Sequence, residues 1–207
     1  THKESIELGM DYGVKFTPEL KTPQVDMPYE GDYTQDDYAQ QMIDEYVQYR
    51  VAPSAVWPQS FRWDDVIYWI KYTNYGRQAV ALEGTYSNYD LDEAGFDAVV
   101  ADLVAAGANI IAPPMWMLAD LDANKKMIPS NYAKFSKKYF DIITWTVERS
   151  GPLKSGGGWY YQTIVEITNN DGDMMNYLHF LNSEIGVLGV FSDWPATTTF
   201  YANCMGL

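Results

Sequence analysis

The stretch FTPELKTP, residues 16–23, places a carboxylate, Glu19, and an ammonium, Lys21, two positions apart between two prolines. Alternate residues of a β-strand project to the same face, so these two charges should lie side by side on a short extended segment. The flanking prolines favour a fixed backbone geometry. Spacing alone leaves two interpretations open. The pair is either an ion pair at a strand end that contributes little to stability, or part of an active site.

Composition narrows the class of protein that could carry such a site. The chain has 207 residues, of which 47% are hydrophobic, so it can bury a sizeable core as a single α/β domain over residues 1–207. The formal net charge of −14 disfavours a nucleic-acid partner and docking on anionic lipid. No apolar run approaches the ~18 residues of a transmembrane segment. The one cysteine, Cys204, permits no internal disulfide.

Apolar runs and helix-like segments alternate along the whole chain. Such alternation predicts parallel strands joined by helices, and continuous apolar strands are typical of a sheet that is covered on both faces. No strand is followed by the glycine motif of a dinucleotide or triphosphate site, which disfavours a doubly wound nucleotide-binding fold. The six predicted strands are VKFTPELK, SAVWPQSF, RQAVALE, ANIIAPP, FDIITWTV and VLGVFSD.

Polar or bulky aromatic residues recur where these strands end. In a (β/α)8 barrel the carboxyl ends of the strands build the active site, although six strands are two fewer than a closed barrel needs. The residues at these ends are Glu19, Lys21, Gln59, Ser60, Glu83, Pro113, Trp116, Trp145, Glu148 and Asp193.

Four of these segments together resemble the glycerophosphodiester phosphodiesterase family. FTPELK, VWPQSF, IITWTVE and GVLGVFSDWP are similar, in order and spacing, to the later strands of that family, and the similarity covers nearly the whole chain. The segment TWTVERSGPLKSGGGWYYQ is similar to the larger eukaryotic members. The resemblance implies an α/β fold, a (β/α)8 TIM barrel of the phospholipase-C-like phosphodiesterase type, with strands three to eight present and strands one and two absent.

The resemblance also implies which parts are missing. The family carries a His-Arg-Gly motif on its first strand, and a Glu-x-Asp pair followed by another histidine on its second; none of these occurs here. The chain is therefore expected to be a fragment, the C-terminal three quarters of a catalytic barrel. We expect an N-terminal complementary segment, or a second chain or copy, to cover the gap, because proteins avoid unpaired sheet edges.

The resemblance implies roles for five residues. Glu19 matches the family's carboxylate ligand of a divalent cation, Mg²⁺ or Ca²⁺, whose further ligands would lie outside this chain. Lys21 matches the cation that contacts the substrate phosphate, so Glu19 and Lys21 are the candidate catalytic residues. Gln59, Phe61 and Trp145 are candidates for binding the substrate. The residue types alone allow another interpretation, in which Gln59 caps a strand, Phe61 is a core residue and Trp145 serves packing.

Other residues with useful chemistry are assigned structural roles. Asp193 precedes a proline and a helix start, which favours a role in fixing the turn. His179 is expected to be partly buried among the outer helices. Neither His179 nor His2 lies at a strand end, so both are rejected as the acid–base group. The segment NNDGDMM predicts a turn and a helix start rather than a calcium loop. The glycine-rich KSGGGWYYQ is either a lid with an aromatic wall or a flexible linker.

Two functional hypotheses follow. In the first, the intact protein is a metal-binding hydrolase of lipid metabolism that cleaves small-molecule glycerophosphodiesters to an alcohol and glycerol 3-phosphate, and this chain needs the missing N-terminal strands for activity. In the second, the chain is a non-catalytic barrel fragment that serves as a structural or interaction subunit. Secretion is favoured by the habit of the family and by a start, THKESIELGM, without an initiator Met.

Overall fold

The structure is a computed structural model, and it describes residues 1–207. Helices and short strands alternate, with several 3₁₀ turns between them. In chain order the helices are α1 (His2–Asp11), α2 (Gln35–Gln48), α3 (Trp63–Tyr72), α4 (Glu93–Ala106), α5 (Asn131–Ser136), α6 (Gly172–Phe180) and α7 (Pro195–Met205). The strands are β1 (Gln59–Ser60), β2 (Val80–Leu82), β3 (Ile110–Ala112), β4 (Ala119–Leu121), β5 (Met127–Pro129), β6 (Asp141–Thr144) and β7 (Gly189–Val190).

Five of the strands form one sheet in the order β1-β2-β3-β6-β7. The pairs β1 with β2 and β6 with β7 are parallel, with Gln59 opposite Val80 and Ile143 opposite Gly189. All residues of β2 and β3 are buried, as continuous apolar runs predict. The predicted parallel α/β fold is confirmed, and the strands do not close into a barrel.

The segment predicted as the first strand, VKFTPELK, is not a continuous strand. It makes two isolated parallel bridges, Phe16 with Val56 and Glu19 with Gln59. The amide of Leu20 donates to the Gln59 carbonyl at 2.9 Å, and the amide of Gln59 donates to the Pro18 carbonyl at 2.9 Å. Pro18 has no amide hydrogen, so a regular ladder cannot form through it. The segment therefore extends the sheet beside β1 with an interrupted hydrogen-bond pattern.

The strands β4 and β5 form an antiparallel hairpin that the sequence did not predict. Ala119 pairs with Pro129, and Leu121 pairs with Met127. The helix that follows the hairpin begins at Asn131. Its N-cap is Ser130, whose hydroxyl accepts from the Ala133 amide at 3.0 Å. Because the serine cap directly precedes Asn131, Pro129 lies outside the helix and ends the hairpin.

The chain divides into two compact units. The first contains Thr1–Leu82 and Val100–Ile110, and the second contains Glu83–Val99 and Ile111–Leu207. The prediction of a single domain over residues 1–207 stays a prediction.

The first unit is built on two capped helices. Thr1 and Glu4 form a reciprocal cap at the start of α1, and Thr34 and Asp37 do the same at the start of α2. The apolar face of α2 is buried at Ala39, Met42, Ile43 and Tyr46, a spacing of three and four residues that follows the helical period. The indole of Trp69 in α3 is fully buried and donates to the Ala39 carbonyl at 3.0 Å, so α2 and α3 pack closely.

The second unit has a core rich in aromatic and sulfur-containing side chains. Met115, Met117, Tyr132, Tyr161 and Tyr177 are all at most 1% exposed. The hydroxyls of the buried tyrosines are satisfied: Tyr177 donates to the Met115 carbonyl at 2.6 Å, and Tyr161 donates to the Val147 carbonyl at 2.8 Å. These bonds tie the segments after β3 and β6 to the helical layer, because a buried hydroxyl without a partner is costly.

Candidate functional site

Glu19 and Lys21 form an ion pair at the end of the interrupted segment beside β1. The Lys21 Nζ lies 2.8 Å from Glu19 Oε1, with the lysine side chain 76% exposed and the glutamate side chain 23% exposed. The predicted proximity of the two charges is therefore observed. Because the ammonium is largely in water, it can leave the carboxylate and meet another anion at small cost.

Gln59 lies directly beside Glu19. Bridge partners in parallel strands project to the same face, so Glu19 and Gln59 share a face, whereas Leu20 and Ser60 share the other. Ser60 faces α3, since its hydroxyl donates to Asp65 Oδ2 at 2.8 Å. In the Gln59 side chain, Nε2 donates to the Thr17 carbonyl at 3.3 Å, and Oε1 is buried without a partner. The structure thus brings Glu19, Lys21 and Gln59 together.

Phe61, which follows β1, is 40% exposed. The interpretation of Phe61 as a core residue is therefore wrong. Phe61 lies beyond the last residue of β1, so it is not buried as Gln59 and Ser60 are. Its exposure leaves a hydrophobic ring near the end of β1, as a binding residue would require.

A cleft of about 270 Å³ lies next to Glu19 in the first unit and is lined by residues of α1 and α2, including His2, Tyr38, Gln41 and Glu45. His2 Nδ1 is 2.6 Å from Glu45 Oε2, and Nε2 is 3.2 Å from the Tyr46 hydroxyl. Both ring nitrogens are therefore engaged, and they hold α1 against α2.

The residues of this chain do not make a metal site by themselves. No group of three or more His, Cys, Asp or Glu side chains is arranged to hold an ion. Glu19 supplies one carboxylate, whose partner is Lys21. A hard cation needs about six oxygen ligands, so a cation at Glu19 would require ligands from outside these residues.

Glu83 follows β2 and has a different environment, in the second unit. It is 1% exposed. Its Oε1 accepts from the Thr85 amide at 2.6 Å, and its Oε2 accepts from the Asn88 side-chain amide at 3.0 Å and from the Tyr132 hydroxyl at 3.1 Å. Burial raises the pKa of the Glu83 carboxyl above its ordinary value, and the hydrogen bonds oppose that rise. With no cation among these partners, the carboxyl serves to hold the loop that follows β2.

Trp145 belongs to a group of aromatic rings in the second unit that we call the Trp159 cluster: Tyr86, Trp116, Trp145, Trp159 and Tyr160. Their ring centroids lie 4.8–6.0 Å from that of Trp159. Trp145 stacks on Trp159 with 28° between the ring planes and donates from its indole to the Ala112 carbonyl at 2.9 Å. Trp145 therefore supports the exposed ring of Trp159, and its predicted role in binding the substrate stays a prediction.

Tyr86, Trp159 and Tyr160 were not predicted from the sequence to form a group with Trp145. A usable signal was present, because GTYSNYD and GGGWYY both follow predicted strands and both are rich in aromatic residues. The glycine-rich stretch folds into 3₁₀ turns, Leu153–Ser155 and Gly158–Ile167. The sequence left open whether this stretch is a lid with an aromatic wall or a flexible linker. The ring contacts of Trp159 fit the aromatic wall.

Asp193 does not cap the last helix. The N-cap of α7 is Trp194, without a side-chain hydrogen bond, and Asp193 pairs with Arg149 at 3.4 Å. The turn is anchored instead by Glu148, which accepts from the Ser192 hydroxyl at 2.7 Å and from the Asp193 amide at 3.2 Å.

His179 is exposed on α6, with Nδ1 3.1 Å from the Tyr201 hydroxyl, so the prediction of partial burial is wrong.

Comparison with solved structures supports the fold. The chain superposes with a TM-score of 0.60, at 15% identity, on the crystal structure of a protein of Silicibacter pomeroyi DSS-3 provisionally described as a glycerophosphoryl diester phosphodiesterase. The superposition covers 99% of this chain and 56% of that protein, so the chain spans little more than half of its structural neighbour. This likeness shows a related fold.

Sequence comparison gives a closer relative. No family model matches the chain. A protein of Arthroderma benhamiae, named "Extracellular protein", is 42% identical over 214 residues, an alignment that covers all of this chain and 86% of the relative. None of the helices is long and apolar enough to cross a membrane. The name of the relative is compatible with the expected secretion. At this identity and coverage, the chain belongs to the same family as the Arthroderma benhamiae extracellular protein.

Proposed function

We propose that this chain carries the phosphate-facing part of a site that hydrolyses glycerophosphodiesters to an alcohol and glycerol 3-phosphate. The observation that carries the proposal is the Glu19–Lys21 pair, with Nζ and Oε1 2.8 Å apart where a segment of the parallel sheet ends. Strand ends are where α/β folds of this kind place their chemistry. The fold likeness to a protein described as a phosphodiesterase supports the same reaction class.

Lys21 is suited to hold a phosphodiester. Its ammonium is 76% exposed, and its one carboxylate partner is on the same short segment. A phosphodiester oxygen gains negative charge in the transition state, so a preorganised ammonium stabilises that state more than the ground state. The exposed ring of Phe61 would then contact the organic part of the substrate.

Glu19 is proposed as one ligand of a divalent cation, Mg²⁺ or Ca²⁺. When bound, such a cation polarises the phosphoryl oxygen. Because this chain assembles no cluster of metal-ligating side chains, the other ligands must come from elsewhere. We propose the same source for the acid–base groups, either an N-terminal segment or a second chain, since His2 and His179 are engaged with Glu45 and Tyr201.

The test is metal-dependent release of glycerol 3-phosphate from glycerophosphocholine. It is measured for the 207 residues alone and for the chain together with any segment encoded ahead of Thr1. We expect release from the longer protein only, loss of release with Glu19→Gln, and a fall of about 100-fold with Lys21→Ala. The matched control is Lys125→Ala, which removes an exposed lysine paired with Glu166 at 3.1 Å. Activity of the 207 residues alone, or activity unaffected by Glu19→Gln, would contradict the proposal.

A second candidate is a non-catalytic interaction subunit, and the sheet edges favour it. The strand order leaves β7 as an edge of the sheet. Exposed edges are places where a further strand can add. Native mass spectrometry separates the candidates. A stable complex with a second chain, together with no hydrolysis by the complex, favours the interaction subunit, and a monomer counts against it.

A further inference from the structure

The Trp159 cluster presents hydrophobic rings to water, which needs an explanation. Trp159 is 40% exposed and Tyr86 is 42% exposed, although both rings contact the buried Trp116. Single exposed apolar residues are common, whereas adjoining exposed rings mark a surface that contacts something. We propose that the Trp159 cluster is a binding site for a neutral carbohydrate, in which a sugar ring stacks on Trp159 and Tyr86.

The backbone that carries Trp159 is built for one conformation. Gly156, Gly157 and Gly158 have φ values of +95°, +74° and +70°, a region that other residues rarely adopt. A Cβ on Gly157 would lie 2.6 Å from Tyr161 Cγ, and one on Gly158 would lie 2.6 Å from the Gly151 amide nitrogen. The Tyr160 amide donates to the Ser150 hydroxyl at 3.0 Å. Trp159 is therefore held in place before any ligand arrives, which lowers the entropy cost of binding.

The rings form a supported platform. Trp145 stacks on Trp159 at 28° between planes, and Trp116 meets it edge-on at 76°. These contacts fix the tilt of the Trp159 ring, while two-fifths of its surface remains open. A planar apolar face of this kind matches the flat array of C–H groups on one side of a pyranose ring.

Polar groups of both signs lie beside the platform. Arg149 pairs with Asp193 at 3.4 Å, and both side chains are about half exposed or more, at 69% and 48%. Arg149 directly precedes Ser150, whose hydroxyl accepts from the Tyr160 amide at 3.0 Å, so the backbone of Arg149 lies beside the segment that carries Trp159 and Tyr160. A guanidinium donates and a carboxylate accepts hydrogen bonds in a plane, so the pair can bind vicinal hydroxyls of a sugar.

The charges argue against ionic ligands. A quaternary ammonium is the usual occupant of an aromatic cage, but the Asp193 carboxylate that would attract it is already paired with Arg149. An anion would meet the negative faces of the rings and a protein of net charge −14. A neutral ligand with apolar faces and many hydroxyls satisfies the rings and the Arg149–Asp193 pair together. This inference is independent of the proposed hydrolysis and goes beyond it.

The test measures binding of cellohexaose, laminarihexaose and chitohexaose by isothermal titration calorimetry and by tryptophan fluorescence. We expect at least one of these oligosaccharides to bind and to change the fluorescence. Trp159→Ala should weaken binding by about tenfold or more, Trp159→Phe should restore part of it, and Tyr86→Ala should weaken it less. The control is Tyr72→Ala, which removes another exposed ring, 70% exposed on α3, and should leave binding unchanged.

Each other outcome overturns the proposal. If none of the oligosaccharides binds at millimolar concentration, the ligand class is wrong. If tetramethylammonium or inorganic phosphate binds at the cluster and the oligosaccharides do not, the charge argument fails. If an oligosaccharide binds equally well to Trp159→Ala and Tyr86→Ala, the site lies elsewhere. Because Tyr86 is outside the glycine-rich loop, its variant decides the case even where Trp159→Ala is misfolded.

Discussion

Two glutamates follow strand segments of this protein, and their surroundings differ in almost every respect. Glu19, in the first unit, is partly exposed and has one charged partner, the exposed ammonium of Lys21. Glu83, in the second unit, is 1% exposed and accepts three hydrogen bonds from Thr85, Asn88 and Tyr132, none of which is charged. One carboxylate can exchange its partner, and the other cannot.

The difference shows that a position at a strand end does not define the role of a side chain. Both acids occupy positions at which a barrel enzyme places catalytic groups. The hydrogen-bond and ion-pair partners of each carboxylate determine whether it can bind a ligand or serves the structure. A carboxylate whose lone pairs are already used by the protein holds a loop, whereas one paired with an exposed lysine remains available to a ligand. The contribution of each acid to the free energy of unfolding tests this distinction between the two sites.

Removal of the buried acid should have the largest effect. Glu83→Ala leaves the Asn88 amide and the Tyr132 hydroxyl without an acceptor and opens a cavity in a fully buried site. We expect a loss of about 3 kcal/mol in the free energy of unfolding, measured by urea denaturation. Glu19→Ala is the matched variant, and its loss should stay within about 1 kcal/mol. Equal losses would remove the distinction between the two acids.

The second unit should also be sensitive where the glycine-rich loop supports Trp159. Gly157→Ala forces a side chain into a positive φ and towards the ring of Tyr161, 2.6 Å away. Gly13→Ala, in the first unit, meets the same kind of φ, +64°, in open space. We expect Gly13→Ala to cost about 1 kcal/mol and Gly157→Ala about twice that. Thermal unfolding of both variants measures the difference. Similar losses would indicate that the loop yields easily.

These contrasts mark what the sequence could and could not predict. Period and composition were sufficient for the parallel α/β fold, because buried strands and amphipathic helices leave regular patterns. The spacing of Glu19 and Lys21 was sufficient for their ion pair. The ring of Trp159 contacts those of Tyr86, Trp116 and Trp145. Tyr86 lies 73 positions before Trp159 in the sequence (159 − 86), so this cluster is a long-range feature. A loop conformation with three positive φ values creates it, and no local period encodes such a conformation.

The hairpin of β4 and β5 was missed for a related reason. Its turn, Asp122 to Lys126, is fixed by a side chain: Asp122 Oδ1 accepts from the amides of Asn124 and Lys126 at 2.8 Å each. The strands that it joins have only three residues each. Segments this short carry no measurable alternation, so turn chemistry was the one available signal.

The raised pKa of Glu83 predicts a moderate pH effect. Because burial raises the folded-state pKa above the ordinary value of 4.5, the folded protein holds this proton more strongly than the unfolded chain does. Stability therefore falls as pH rises from about 4.5 towards the folded-state pKa, and is constant above it. Glu83→Gln removes this dependence. We expect a smaller decline of the urea midpoint in the variant between about pH 4 and pH 7.

Burial also raises the pKa of Asp65, which lowers stability as pH rises in wild type and variant alike. The difference between the two pH profiles of the urea midpoint therefore reports Glu83 alone. The glutamine can accept from the Thr85 amide as the glutamate does. An identical decline in both proteins would show that the carboxyl titrates equally in the folded and unfolded chain.

The smallest effect should come from the Glu19–Lys21 pair itself. A double-mutant cycle with Glu19→Gln and Lys21→Met measures the coupling free energy, which we expect to be no more than about 0.5 kcal/mol and to fall further in 1 M salt. The reason is the exposure of Lys21, whose ammonium is as well solvated apart from Glu19 as beside it. A coupling of about 2 kcal/mol would mean that the fold uses this pair as it uses Glu83, and that neither charge is free to meet a phosphate. A weak coupling together with a strong effect of Lys21→Ala on hydrolysis is what distinguishes a ligand-binding charge from a structural one.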